Sequence, residues 1–177
     1  YKKLAEVEAA EGYELDVVEH GLTDYNLPYF RFKPVAEDAP MQTFTVQQGS
    51  GNAKELCEMF STNIGYYGEI LNMGEVQEHD VNGVKAYSVI SEYRMQDYSQ
   101  QIEAAQSETA EETTDAAEEE IVYEYTQNVI VYLESGIDGK CVVISGMNTG
   151  ADESAFGDSE AMLADLLKAA ACVTLEK

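Results

Sequence analysis

Residues 121–134 read IVYEYTQNVIVYLE, the five residues Ser135-Gly136-Ile137-Asp138-Gly139 turn the chain, and 140–145 return as KCVVIS. The first of these runs alternates. One face carries Ile121, Tyr123, Tyr125, Val129, Val131 and Leu133, interrupted by Gln127; the other carries Val122, Glu124, Thr126, Asn128, Ile130 and Tyr132 and turns apolar only in its C-terminal half. Period-two alternation of this length, followed by a glycine-bearing turn, predicts a long antiparallel hairpin with the first face toward the core. After it, from Asp158, the run SEAMLADLLKAAA predicts a closing helix. Met162, Leu163, Leu166, Leu167 and Ala170 fall on one side of that helix, and Asp158 or Ser159 caps its start.

Upstream, Asn82-Gly83 is a pair that readily takes the positive φ angles of a two-residue hairpin turn, and VKAYSVISEYR returns from Val84 to Arg94. On this strand Val84, Ala86 and Ile90 share one face, and Tyr87, Val89 and Tyr93 share the other. Central strands that are partly apolar on both sides call for a covering layer on each. A helix over 53–62, with Asn52 as N-cap and Leu56, Cys57, Met59 and Phe60 as its stripe, supplies a second layer opposite the closing helix. Three short strands precede it at 13–20, 27–34 and 41–48, while residues 1–12 are helix-permissive but too weakly apolar to be anchored firmly. Strands, hairpins and two helices in this order predict an α+β fold, an α/β/α sandwich around a mainly antiparallel sheet, with 1–177 forming a single domain.

Residues 95–120 differ in kind. They hold nine acids, no base, and beyond Met95 only Ile102 as an aliphatic residue larger than Ala. Such a stretch buries too little apolar area to offset the entropy of ordering, so it reads as an acidic inserted loop between two neighbouring strands.

With 34 acids against 10 bases the formal charge is −24. Phosphate backbones and anionic headgroups bind through Lys and Arg, so nucleic acid is excluded as a partner and anionic lipid surfaces are repelled. A chain of 177 residues buries roughly two-thirds of its unfolded surface and needs no disulfide or metal to hold it. No apolar run approaches the roughly 20 residues that span a bilayer. The chain opens at Tyr1 without Met, a start compatible with a trimmed signal or membrane anchor and equally with an arbitrary boundary. Cys57, Cys141 and Cys172 match no zinc spacing, and the first two read as small buried hydrophobes. A Cys141–Cys172 bridge would need the last helix to bring Cys172 beside the sheet.

Candidate sites are few. Gly49-Ser-Gly51 before a helix has the outline of a phosphate cradle, but Lys54 stands where the third glycine of a GxGxxG run would fall, so no cofactor is expected. His20 and His79 lie at strand ends without a nucleophile motif and read as exposed, ordinary histidines; Gly157-Asp-Ser159 is not a nucleophile elbow. Asp152, Glu153 and Asp158 offer oxygens to a cation, as does 118–120, but without the alternating acids of a calcium loop. The outward tyrosines Tyr87, Tyr93 and Tyr132 are the candidate partner surface, suited to sugar or protein contacts unless a helix or the N-terminal segment lies over them.

Three stretches in order, VNGVKAYSV at 81–89, the hairpin at 125–146 and SEAMLADLLKAA at 159–170, resemble the PsbP-like fold. That fold is shared by a photosystem II extrinsic protein, a Ran-binding nuclear transport factor and many bacterial envelope lipoproteins. The resemblance covers roughly 52–175, and the acidic insertion departs from it. It implies a sandwich around an antiparallel sheet, non-enzymatic binding or scaffolding, and an extracytoplasmic, lipid-anchored setting; no family binding residue carries over. The expected function is a non-catalytic extracytoplasmic binding or protein-interaction domain with a protein or carbohydrate partner. The alternatives are a small hydrolase using surface carboxylates and a cation-binding protein.

Overall fold

The long hairpin forms as the alternation requires. In the computed structural model, which describes residues 12–20, 28–63, 68–97 and 122–173, β1 (Tyr13–His20), β2 (Pro28–Pro34) and β3 (Thr43–Ser50) precede α1 (Ala53–Asn63). Then come β4 (Glu69–Met73), β5 (Gln77–Val81), β6 (Val84–Gln96), β7 (Tyr123–Glu134) and β8 (Lys140–Gly150), a 3-10 turn at Glu153–Ala155, and α2 (Ser159–Cys172). The eight strands make one sheet in the order β1-β2-β3-β8-β7-β6-β4, with β5 also pairing β6. Every pairing is antiparallel, so the class is α+β.

Residues 69–81, ahead of the Asn82-Gly83 turn, form two strands rather than one. β4 pairs with the end of β6 and β5 with its beginning, and Gly74-Glu75-Val76 lies between them, Gly74 N donating to Ile90 O at 2.8 Å. At the hairpin tip Asn82 and Gly83 have φ of 55° and 82°, as a two-residue turn with both central residues left-handed demands. β6 extends two residues past Arg94, Gln96 pairing Tyr123, so Met95 and Gln96 belong to the sheet rather than to the acidic insertion. Just beyond, Asp97 N donates to Val122 O at 2.8 Å; residues 98–121, which hold most of the expected acidic insertion, and the helix-permissive 1–11 lie outside the described residues.

Alternating side chains sort into two clusters. Val129, Val131 and Leu133 join Phe32, Phe44, Val46, Val142 and Ile144 with Met162, Leu163, Leu166, Ala169 and Ala170 of α2. Ile130 and Tyr132 instead join Tyr87, Val89 and Cys141 with Ala53 and Cys57 of α1. Both helices start as their caps dictate: Asn52 Oδ1 accepts from Lys54 N and Glu55 N, and Asp158 Oδ1 from Glu160 N and Ala161 N. The edge strands β1 and β4 each carry a register shift, between Leu15 and Val17 and between Ile70 and Asn72, the kind of irregularity that disfavours pairing with another chain.

The interruption at Gln127 is a clasp. Only 1% exposed, its Nε2 donates to Glu92 Oε1 and Gly157 O, each at 3.0 Å, and its Oε1 accepts from Gly157 N and Asn148 Nδ2. Asn148 in turn donates to Pro40 O and accepts from Gln42 N. Two loops are thereby pinned to the α2 side of the sheet with every polar group of the two amides satisfied, which is the condition for burying them.

Candidate functional site

The three tyrosines do not form a surface. Tyr87 and Tyr132 are 5% and 7% exposed, packed in the α1 cluster with Ala53 and Cys57, and only Tyr93 is half-buried. Burial pushes all three phenols up; the Cys57 and Cys141 thiols add to this at Tyr132, and the Glu78 and Glu134 carboxylates at Tyr87, whose hydroxyl reaches Glu134 Oε1 at 3.4 Å. The covering-helix alternative therefore holds for Tyr87 and Tyr132: they sit on the face that α1 needs for its own core, and a sheet of this kind spends its large side chains there.

The remaining sequence candidates are also taken up by structure. Gly51 N donates to Gly139 O at 2.9 Å, and the first amides of α1 are capped by Asn52. The groove of about 700 Å³ between this helix start and the 135–139 turn is lined by three acids, Glu55, Glu134 and Asp138, against the one base Lys140, a balance that disfavours a phosphate. Asp152 and Asp158 serve as caps, Asp152 Oδ1 accepting from Ser154 N. His79 departs from the expectation of an exposed histidine: its Nε2 lies 2.8 Å from the Oγ of Ser88, a residue 1% exposed, and burial lowers its pKa. This serine and histidine pair looks like a nucleophile and base, but Ser88 is closed to substrate and His79 has no orienting carboxylate among the described residues. All three cysteines are free. Cys141 belongs to the α1 cluster whereas Cys172 ends α2 on the other side of the sheet, so a bridge between them would have to cross the sheet.

What stands out is a patch that no sequence signal marked. On the α1 side the register aligns Thr43, Met147, Asn128 and Ser91 across β3, β8, β7 and β6, and beside that row Arg31, Thr45 and Ser145. The α1 cluster reaches Val89, Ile130 and Val143 and stops, leaving Met147 39% exposed and Gln47 exposed. Here hydrogen-bonding capacity is unspent. Ser145 Oγ donates to Asn128 Oδ1 at 2.9 Å, but the Asn128 Nδ2 hydrogens and the Thr43 and Thr45 hydroxyls have no protein partner among the described residues. Ser91, fully buried in the same row, has an Oγ with no hydrogen-bond partner. The contrast with the fully satisfied Gln127 and Asn148 on the α2 side is sharp.

The patch is also electrically quiet. Arg31 pairs with Asp16 at 3.0 Å, and Lys33 with Glu14 at 3.2 Å, so both bases of the flanking strands are matched by an acid. Period-two reading does place Asn128 and Thr126 on a polar half-face; what it lacks is where α1 ends along the sheet.

No family model matches this chain, and no curated protein matches it.

Proposed function

We propose that this chain is a non-catalytic binding domain, an α/β/α sandwich of PsbP-like kind working outside the cytoplasm, whose recognition face is the open patch around Thr43, Thr45, Asn128, Ser145 and Met147. The observation that carries the reading is the set of unpartnered donors and acceptors there, beside an orphaned buried hydroxyl at Ser91. Buried polar groups are ordinarily paired, so the Ser91 hydroxyl, without a partner among the described residues, is the departure in this row, and the half-exposed hydroxyls and carboxamide beside it are open to an outside molecule.

The hydrolase alternative needs a carboxyl held protonated in a pocket. The acids that shift among the described residues go the other way: Glu78 is lowered by Lys85 and Asp152 by Ser154. The extracytoplasmic setting rests on the resemblance of 81–89, 125–146 and 159–170, and the full-length precursor tests it. An apolar leader ending in a cysteine supports an anchored protein, and a cytosolic start overturns that part. For the binding role, a thermal-shift screen across sugars, peptides and divalent cations runs beside turnover assays with chromogenic esters and glycosides. A ligand that raises Tm for the wild type and not for Thr45→Lys, with no turnover, is the expected result. Turnover above the buffer rate refutes it.

A further inference from the structure

We propose that Asn82 is a site of spontaneous covalent modification, cyclising onto the backbone nitrogen of Gly83 at a rate gated by the hairpin turn, and that the product loosens the β5–β6 hairpin from the end of α2. Two observations meet at this residue. Asn82 and Gly83 are the exposed tip of the hairpin, and a Cβ on Gly83 would meet nothing within 4 Å, so no side chain shields its nitrogen. The other asparagines among the described residues, Asn52, Asn63, Asn72, Asn128 and Asn148, precede Ala, Ile, Met, Val and Thr, each of which carries a side chain at the attacking residue. The second observation is that Asn82 Nδ2 donates to Ala171 O at 3.4 Å, across 89 residues of sequence. Ala171 O is one of the last carbonyls of α2, which have no amide of the next turn to satisfy them. One carboxamide thus caps the helix from the hairpin tip and carries the reactive carbon.

Gly83 N attacks Asn82 Cγ: the N–Cγ bond forms, the Cγ–Nδ2 bond breaks, and ammonia leaves with the amide proton. Water then opens the five-membered ring at one of its two carbonyls, leaving aspartate or isoaspartate, so the net exchange is one water for one ammonia. Ring closure needs the Asn82–Gly83 peptide to rotate until its nitrogen faces the side-chain carbonyl. Two features resist that rotation. Both residues are held left-handed, with φ of 55° and 82°, between the paired Val81 and Val84, and Gly83 N donates to Asp80 Oδ1 at 2.9 Å. Cyclisation therefore waits on opening of the tip, a local event that costs far less than global unfolding. Its consequence reaches further. The carboxamide donor becomes an acceptor, and a negative charge stands against carbonyls at the negative end of the α2 dipole.

The test is incubation of the whole chain at mildly alkaline pH, followed by intact mass, peptide mapping and enzymatic methylation of isoaspartate. The wild type should gain about 1 Da, with isoaspartate at 82 ahead of every other asparagine of the described residues. Asp138-Gly139 can close the same ring, but it loses water and regains it, so the mass gain does not report on it. A synthetic VNGVK peptide should react about tenfold faster or more, since nothing holds its tip closed. Asp80→Ala should speed the folded chain about three- to tenfold, the worth of one hydrogen bond at an exposed turn. Asn82→Asp stands in for the product and keeps the turn, because Asp tolerates the left-handed region as Asn does. It should lower Tm by about 1–3 °C at low salt and by less at about 0.5 M. Reaction at Asn82 no faster than at the other asparagines overturns the proposal. So does a slower reaction in Asp80→Ala, or a folded chain that reacts as fast as the peptide, since either removes the gate. An Asn82→Asp variant as stable as the wild type at low salt overturns it as well, because the product would then leave hairpin and helix joined.

Discussion

Replacing Leu166 by Ala probes the contact on which the α2 side of the molecule depends. Leu166 is fully buried, and its two methyl carbons lie within 3.3 Å of where a Cβ on Gly146 of β8 would stand. Truncation removes three carbons, a transfer loss of about 2.4 kcal/mol at about 0.8 kcal/mol each. The site cannot collapse freely, because Met162 of α2, Ile144 of β8 and Met41 of the loop before β3 belong to the same cluster and are themselves buried. A residual cavity therefore adds to the loss, for a total of about 3–4 kcal/mol. In a chain of this length that lowers Tm by about 6–16 °C. The companion Lys168→Ala removes an exposed pair with Asp165 at 3.0 Å, worth no more than about 0.5 kcal/mol. Urea denaturation of both variants followed by circular dichroism decides the matter. Equal midpoints would mean that α2 does not bury Leu166 against β8, and the account of the core on that side would fall.

Gly146→Ala is expected to cost about 1–3 kcal/mol in the same assay, because the added Cβ would stand 2.6 Å from the Met41 sulfur inside a packed cluster. Gln127→Leu should cost at least about 2 kcal/mol, since it strips partners from Gly157, Asn148 and Glu92 together; a neutral result would mean the clasp is dispensable. His79 is held neutral by burial, its pKa lowered from 6.5, so as pH falls through 6.5 the unfolded chain takes up the proton first and stability declines. His79→Gln should flatten the fall in urea midpoint between about pH 7.5 and 5.5, above the range where ordinary carboxylates titrate, and an unchanged slope refutes this. Joining Asp97 to Val122 by a short turn in place of 98–121 keeps the backbone bond between those two residues, so Tm should stay within about 4 °C; a loss above about 2 kcal/mol would show that the insertion packs on the domain.

Much of the sheet was legible because its signals are local. Asn82-Gly83, Asn52 and Asp158 each name their own structure through a φ angle or a capping oxygen, and alternation in 121–134 and 84–94 assigns side chains to faces without knowledge of what covers them. The tyrosines show where such reasoning stops. Tyr87 and Tyr132 were assigned to the correct face, but exposure depends on how far α1 reaches along the sheet, and no local pattern encodes that. The Ser88–His79 bond is equally silent in sequence, because it is made across two strands between residues nine apart whose pairing follows from the hairpin register. Gln127 looked like a break in an apolar face; its four bonds come from β6, β8 and the loop before α2, so only the assembled fold makes it intelligible.

The two sides of the sheet treat polar groups in opposite ways, and that asymmetry is the strongest argument for where function lies. On the α2 side two buried amides and the backbone of two loops close on one another, so nothing outside the protein can improve them and water is excluded. On the α1 side the helix covers the end of the sheet near the 135–139 turn and leaves the rest to hydroxyls and a carboxamide whose capacity is partly idle. A stable fold does not require this, since Val at 43 and 45 would suit a covered strand better and cost no hydrogen bond within the described residues. Acidic side chains would suit an uncovered one in a chain of charge −24, where solubility is already bought with carboxylates. A neutral, hydrogen-bonding surface in the middle of such a protein answers neither need. It is the arrangement the proposed binding role calls for, since side chains fixed at strand spacing lose little freedom on binding.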